Sequence, residues 1–428
     1  MDLIVERKRK VSGEIKVPGD KSISHRSLIL ASIAEGVSKI EGLLEAEDCL
    51  STMQIMKDLG IKIEKTAEGS YQVHGKGLDG LEEADDVLDC GNSGTSMRLL
   101  TGLLASQDFY SVVTGDHSLR KRPMQRIIGP LSRMGAQIWS RKNGLAPMSI
   151  RGQKLDAIEY TLPVASAQLK SSILLAALKS EGETIINEPA VSRDHTERML
   201  KGAGVEIDIE EDRIVLKAAE KRKLNSFEIK VPGDISSAAF FITAALTADE
   251  GELLIKNVGL NQTRSGFIEV VQAMGGEISL LNKKDQGGEP TADILVKASD
   301  LKACEVSGEI IPRLIDEIPI IAVLAAAAEG KTLIKDAEEL RVKETDRIAA
   351  VVSEFKKLGI EIEEHPDGMT INGPVEVEGG IEVESYHDHR IAMSLAVLAL
   401  RTKKGLTIKG SEIINTSFPS FEELLASI

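Results

Sequence analysis

The sequence is poor in the residues that mark several large classes of protein. Only 3 of its 428 residues are cysteine. Cys49, Cys90 and Cys304 stand far apart, with no C-x-x-C pair and no neighbouring histidine cluster. That argues against a disulfide framework or a structural zinc site. Aromatic residues are equally scarce, at 1 Trp, 4 Tyr and 8 Phe, too few for the base-stacking platforms of single-strand nucleic-acid binders. Positive charge is the minority sign: 52 Lys and Arg face 67 Asp and Glu, a net charge of −15. A broad basic surface for nucleic acid is therefore missing. The longest uncharged apolar stretch, Ile235 to Ala248, is too short to span a bilayer. The opening MDLIVERKRKVSG has no apolar core of the signal-peptide kind. The expectation is a soluble cytoplasmic protein with no nucleic-acid or membrane partner.

What the chain does have is apolar mass and a repeat. Hydrophobic residues make up 42%, enough to bury large cores, and the length suits two to four domains. Six stretches share one plan: an apolar helix rich in small residues, a short strand, a loop, an amphipathic helix, then a G-x-x-I strand. The helices open at Pro18, Asp89, Pro163, Pro232, Ile311 and Ser385, spaced 69 to 79 residues apart. The second helices repeat as well, as in MQIMKDLGIKIE, IIGPLSRMGAQI and VVSEFKKLGIEIE, each ended by glycine before an alternating strand. The last repeat ends in FEELLASI with no closing strand, which the segment LIVERKRKVSGEIKV could supply. The first helices are apolar nearly all round and so belong inside. Three repeats in each of two globules, helices inside and sheets outside, is the simplest packing; a six-unit solenoid is the other. The run VPGD occurs at Val17–Asp20 and at Val231–Asp234. It marks either chain crossings between globules or simple helix starts.

Repeats on a shared scaffold differ where function lives. Lys21-Ser22-Ile23-Ser24-His25-Arg26 opens one inner helix, whereas its fourth-repeat counterpart, Ile235-Ser236-Ser237-Ala238-Ala239, is neutral. Cations at a helix N-terminus make an anion site; a solvated basic turn is the plainer reading. Gly91 to Arg98 reads GNSGTSMR, whose glycines allow close backbone approach but match no nucleotide-binding loop. His117 to Arg126 carries four cations and no acid, either an anion clamp or a solvated face. In Arg341-Val342-Lys343-Glu344-Thr345-Asp346-Arg347, helical spacing puts Lys343 and Arg347 on one face. That is either a salt-bridged surface helix or an anion site with Glu344 as an acid or base. His387-Asp388-His389-Arg390 has no third ligand nearby for a metal, and its arginine repeats the anion theme. Asp316 and Glu317 interrupt an apolar run at an inner-helix start, where carboxylates need partners. Together these motifs predict an interdomain cleft for small polyanions bearing phosphate and carboxylate groups, with acids for proton transfer.

In this order and over the whole chain, the motifs resemble those of the EPSP synthase (3-phosphoshikimate 1-carboxyvinyltransferase) family. The matching stretches are PGDKSISHRS, GNSGTSMRLL, GDHSLRKRPM, VASAQLKSS, SRDHTERML, VPGDISSAAFF, IPRLIDEIP, RVKETDR and DHRIAM. The resemblance implies an α/β, two-globule enolpyruvyl transferase fold of six βαβαββ repeats, three per globule. Residues 20–233 would form an inserted N-terminal globule; residues 1–19 and 234–428 would form the C-terminal one. It implies transfer of the enolpyruvyl group of phosphoenolpyruvate to the 5-hydroxyl of shikimate 3-phosphate, through a tetrahedral intermediate. No cofactor or metal is implied, those two small molecules are the only partners, and the chain is expected to be a monomer.

Carried over by motif, Lys21, Ser22, Arg26, Ser166, Gln168 and Arg193 look like shikimate 3-phosphate ligands, with Asp316 and Lys343 at the reacting hydroxyl. Lys21, Gly94, Arg122, Gln168, Arg347 and Arg390 would hold phosphoenolpyruvate. Asp316 would accept the hydroxyl proton and Lys343 contact that hydroxyl. Glu344 would protonate the methylene carbon, with His389 beside it. Ser166-Ala167-Gln168 and Lys121 to Met124 resemble the second class of these enzymes. That class assignment leaves two positions without a first-class counterpart: Asn415-Thr416-Ser417-Phe418-Pro419 has no lysine before T-x-F-P, and Glu339 stands where the first class has asparagine. The nearest rival, UDP-N-acetylglucosamine enolpyruvyl transferase, usually carries a cysteine in the loop that here reads TGDHSLRKR. A non-catalytic repeat scaffold is the rival from another class.

Overall fold

The computed structural model describes residues 2–428. Its Cα framework divides into two compact units. Unit 1 comprises Met1–Pro18, Pro232–Asp285 and Pro290–Ile428; unit 2 comprises Gly19–Val231 and Gln286–Glu289. The chain thus leaves unit 1 after Pro18 and returns after Val231, inside the two VPGD runs.

Each repeat supplies an inner and an outer helix. In unit 2 these are α1 (Lys21–Ile33) and α2 (Glu47–Asp58), α3 (Gly94–Ala105) and α4 (Gln125–Arg133), and α5 (Ala167–Ala177) and α6 (His195–Gly202). In unit 1 they begin with α7 (Ile235–Leu246) and α8 (Gly266–Ala273). A short α9 (Ile311–Leu314) then precedes α10 (Ile318–Ala327) and α11 (Arg347–Lys357), and α12 (His389–Ala399) pairs with α13 (Phe421–Ser427).

Local sequence explains both ends of these helices. Five inner helices start after a residue whose side chain accepts a backbone N–H of the first turn: Asp20 from Ile23, Ser93 from Ser96, Ser166 from Leu169, Asp234 from Ser236 and Asp388 from Arg390. Such caps satisfy donors the helix itself leaves open. The outer helices α2, α4, α6, α8 and α11 run into Gly60, Gly135, Gly204, Gly275 and Gly359, all with φ between 76° and 98°. Glycine takes that left-handed turn without a Cβ penalty, which stops the helix and releases the next strand. Small residues let inner helices approach closely: a Cβ on Gly102 of α3 would lie 2.1 Å from the Ser172 carbonyl of α5.

Five sheets share one strand order. In the sheet of residues 88–151, Leu88–Asp89 runs parallel to Tyr110–Thr114, which pairs antiparallel with Leu145–Arg151, and that with Gln137–Arg141. The inner strands alternate buried and exposed residues, while outer strands such as Lys62–Ala67 are mostly exposed. This is the expected α/β architecture, with apolar helices inside and sheets at the surface. The repeats nearest the two crossings exchange edge strands. Gly13–Ile15, just before α1, pairs parallel with Leu253–Ile255 in unit 1. Glu228–Lys230, just before α7, pairs parallel with Lys39–Glu41 in unit 2. The last sheet has three strands, Glu382–Glu384, Leu406–Lys409 and Asp2–Val5. The opening segment therefore completes the last repeat with only one strand and gives its other to the fourth.

One element departs from expectation. Residues 341–347 are not a helix: a 3-10 turn covers Glu338–Val342, and α11 starts only at Arg347. Asp346 is the cause, since its side chain accepts from Ala349 N at 3.0 Å and so caps the helix there. Lys343 and Arg347 accordingly do not lie one above the other on a helix face. Among the described residues no helix is long and apolar enough to cross a membrane.

Candidate active site

The functional side chains gather at the starts of the inner helices, where backbone N–H groups and helix dipoles favour anions. In unit 2, α1 brings Lys21, Ser22 and Arg26 on its first two turns. Lys21 forms an ion pair with Asp48 of α2. Arg26 is buried, and its guanidinium is held on three sides. Nε donates to Thr196 Oγ1 at 2.6 Å, Nη2 to Ser171 Oγ at 2.8 Å, and Nη1 to the Ser22 carbonyl at 3.0 Å. Those partners come from α6, α5 and α1, so one arginine registers three helices. Burial, with Lys21 and Arg26 alongside, holds the His25 imidazole well below its ordinary value of 6.5. Its Nδ1 meets Thr52 Oγ1 at 2.8 Å, and Thr52 meets Ser96 Oγ at 2.6 Å. That buried chain ends on Ser93, the cap of α3, whose Oγ accepts from Ser96 at 2.7 Å.

Gly94 is the first residue of α3, and a Cβ there would lie 2.8 Å from Arg98 Nη1 and 3.4 Å from Arg122 Nη1. Two guanidinium groups thus flank a glycine at a helix N-terminus. Arg122 donates from Nη2 to Asn92 Oδ1 at 3.0 Å. Gln168 accepts from Arg98 Nη1 at 2.7 Å and donates to Thr95 Oγ1 at 2.9 Å. Ser166 is the cap of α5, and Arg193 is half-buried just before α6. Behind them, Lys170 of α5 is fully buried between Glu188 and Glu197, each at 2.6 Å. Burial opposes the lysine's charge, but the two carboxylates outweigh it and raise its pKa. Burial also raises that of Glu197. The cluster ties α5 to α6 and so fixes Gln168 relative to Arg193.

Unit 1 holds the acids. The helix of the fifth repeat is broken, with a 3-10 turn over Ile315–Glu317 and Pro319 in the first turn of α10. Pro319 has no N–H to continue a helix through this point. The break presents Asp316 and buries Glu317. Asp316 Oδ1 lies 3.3 Å from Arg347 Nη1 and 3.7 Å from Lys343 Nζ. Arg347 is fully buried yet meets three carboxylates: Asp316, Glu344 at 2.7 Å and Asp388 at 2.8 Å. Burial alone would depress its guanidinium; Asp388, Glu344 and Asp316 outweigh that and push it above its ordinary value. Arg390 Nη1 donates to the Asp316 carbonyl at 3.0 Å and lies 3.4 Å from Glu317 Oε1. His389 is buried as the first residue of α12.

Of the residues singled out in the sequence, Asp316, Lys343, Glu344, Arg347 and Arg390 come together in unit 1. Lys21, Ser22, Arg26, Gly94, Arg122, Ser166, Gln168 and Arg193 stand at the helix starts of unit 2. The supporting partners were missed: Asp48, Arg98, Ser171, Thr196 and Asp388. For Asp388 a signal existed, since aspartate directly before an apolar helix is a cap. Arg341 pairs with Asp346 and Glu364, not with Glu344. Among the described residues no group of three His, Cys, Asp or Glu side chains could hold a metal ion.

Residues 5–425 match the family described as EPSP synthase (3-phosphoshikimate 1-carboxyvinyltransferase). The chain belongs to this family. It is 51% identical to the 3-phosphoshikimate 1-carboxyvinyltransferase of Magnetococcus marinus, over 98% of this chain and 94% of that one. It is also 51% identical to the enzyme of the same name from Petrotoga mobilis, over 100% and 99%. Among solved structures, EPSP synthase from Acinetobacter baumannii superposes with a TM-score of 0.89 at 46% identity, covering 100% of this chain and 97% of that one. The enolpyruvyl transferase NikO from Streptomyces tendae superposes with a TM-score of 0.81 at 17% identity, over the same shares; that likeness shows the fold alone.

Proposed function

We propose that this protein transfers the enolpyruvyl (1-carboxyvinyl) group of phosphoenolpyruvate to the 5-hydroxyl of shikimate 3-phosphate. The products are 5-enolpyruvylshikimate 3-phosphate and phosphate, a step of the shikimate pathway to aromatic amino acids. The observation that carries the reading is the grouping in unit 1. Two carboxylates, Asp316 and Glu344, are anchored on one buried guanidinium, Arg347, with Lys343 and Arg390 beside them.

The reaction asks for that set. Addition forms a bond between the 5-oxygen and C2 of phosphoenolpyruvate while a proton enters at C3. Elimination removes a proton from that methyl group and expels phosphate, restoring the double bond. Asp316 accepts the hydroxyl proton, with Lys343 on the same oxygen, and Glu344 carries the proton to and from C3, with His389 beside it. Arg347, Arg390, Arg122, Lys21, Gly94 and Gln168 hold phosphoenolpyruvate and its developing phosphate. Lys21, Ser22, Arg26, Ser166, Gln168 and Arg193 hold shikimate 3-phosphate. Guanidinium groups suit both anions because phosphate and carboxylate accept two parallel N–H bonds.

In this reading the two globules are residues 20–233, and 1–19 with 234–428. The enzyme works as a cytoplasmic monomer, for which sedimentation should return the mass of one 46.2 kDa chain. Purified protein given phosphoenolpyruvate and shikimate 3-phosphate should release phosphate stoichiometrically with the enolpyruvyl ether. Release only when UDP-N-acetylglucosamine is the acceptor would overturn the assignment.

A further inference from the structure

A buried polar chain in unit 1 ends on Arg390. It begins at Asp234, the cap of α7, whose Oδ1 accepts from Arg264 Nη2 at 2.6 Å. The same nitrogen donates to Ser236 Oγ at 2.7 Å. The Ser236 hydroxyl in turn donates to Glu317 Oε1. Glu317 Oε1 lies 3.4 Å from Arg390 Nη1, which also donates to the Asp316 carbonyl. Asp234, Ser236, Arg264 and Glu317 are each 5% exposed or less. The charges alternate along the chain, as buried ions must if each is to be compensated.

The repeat shows how unusual these positions are. Ser236 stands two residues after the second VPGD run as Ser22 does after the first, and Arg264 lies in the loop before α8 as Arg122 lies in the loop before α4. In unit 2 those two positions belong to the anion sites. In unit 1 the serine faces a protein carboxylate and the arginine faces the α7 cap. With Nη1 committed to Asp316 and Glu317, the plane of the Arg390 guanidinium is fixed. Among the described residues the second oxygen of Glu317 is buried without a hydrogen-bond partner, so Ser236 and Arg390 hold this carboxylate in place.

We propose that Ser236, Arg264 and Glu317 are positioning residues for phosphoenolpyruvate: they fix the Arg390 guanidinium and touch neither substrate. Without the Ser236 hydroxyl, Glu317 turns onto Arg390 and competes with the substrate anion. The inference rests on the reading of Arg390 as a phosphoenolpyruvate ligand.

The test compares Ser236→Ala, Ser236→Thr and Arg390→Lys in steady-state kinetics with each substrate varied. Ser236→Ala should raise KM for phosphoenolpyruvate about tenfold, a change of about 1.4 kcal/mol. KM for shikimate 3-phosphate should stay within about twofold. Ser236→Thr, which keeps the hydroxyl, should restore most of the loss. A merely structural role would lower the melting temperature and leave both KM values alone, because KM does not depend on the fraction of active enzyme; that result overturns the inference. If Arg390→Lys raises KM for phosphoenolpyruvate and Ser236→Ala does not, the relay alone is wrong. If Arg390→Lys leaves that KM unchanged, the reading of Arg390 itself falls.

Discussion

Arg347 and Asp388 form a fully buried two-point ion pair, with Nε to Oδ2 at 2.8 Å and Nη2 to Oδ1 at 3.4 Å. The same carboxylate caps α12 through the Arg390 N–H. One aspartate therefore holds the guanidinium of Arg347 and the backbone N–H of Arg390. Replacing it with alanine removes a cap and one counter-charge of a buried cation. Asp388→Ala should cost roughly 3 kcal/mol, the low end for breaking a buried pair, because Glu344 and Asp316 still face the guanidinium. Urea denaturation measures it; a loss below about 1 kcal/mol would mean the pair is not buried in solution.

Glu344 pairs with Arg347 and lies outside the helix that begins there. Glu344→Gln keeps the shape and loses the acid. Turnover should fall by about 10² to 10⁴, while binding of shikimate 3-phosphate by calorimetry stays near wild type. Turnover within a few fold of wild type would remove Glu344 from the proton path.

Gly94→Ala separates binding from stability. The added methyl lies 2.8 Å from the tip of Arg98, a flexible atom that can give way. Moving it aside gives up its hydrogen bond to Gln168, a loss that the reduced freedom of the unfolded chain, worth up to about 1 kcal/mol, roughly offsets. The displaced guanidinium should raise KM for phosphoenolpyruvate several-fold at an unchanged or higher melting temperature. A lower melting temperature would mean the methyl meets something rigid.

His25 predicts a pH effect. Its folded pKa lies well below 6.5 because of burial and the nearby Lys21 and Arg26. Above about pH 6.5 the imidazole is neutral in both folded and unfolded chains, and its site costs nothing. As pH falls below that value, the unfolded chain binds a proton that the folded chain resists. Stability then drops by up to about 1.4 kcal/mol per pH unit until the folded pKa is reached. His25→Asn, which keeps a polar group toward Thr52, should flatten this limb between pH 7 and pH 5. Denaturation midpoints measured across that range check it; parallel curves for the two proteins would contradict it.

Much of this was legible in the sequence, for reasons visible in particular residues. Helix starts could be read because aspartate and serine caps precede apolar runs, and outer-helix ends because glycine sits before each strand. Lys21 and Arg26 stood out because the fourth repeat is neutral at the same positions. The partners of those cations were harder. Asp48, Thr196 and Ser171 come from other helices, and only packing brings them to Lys21 and Arg26. The helix expected over 341–347 failed because Asp346 satisfies the first-turn donors of α11, a capping choice that outweighs the i,i+4 charge pattern upstream. The edge-strand exchange had no local signal at all, since Gly13–Ile15 and Glu228–Lys230 look alike before their VPGD runs.

That exchange bears on how the chain can be made. During vectorial synthesis unit 2 has nearly all its pieces once Lys230 has emerged, including the edge strand that finishes its first sheet. Unit 1 must wait. Gly13–Ile15 has no partner until Leu253–Ile255 appears, and Asp2–Val5 has none until Leu406–Lys409 does. These two strands thus wait long for their partners, held open across the birth of an entire lobe.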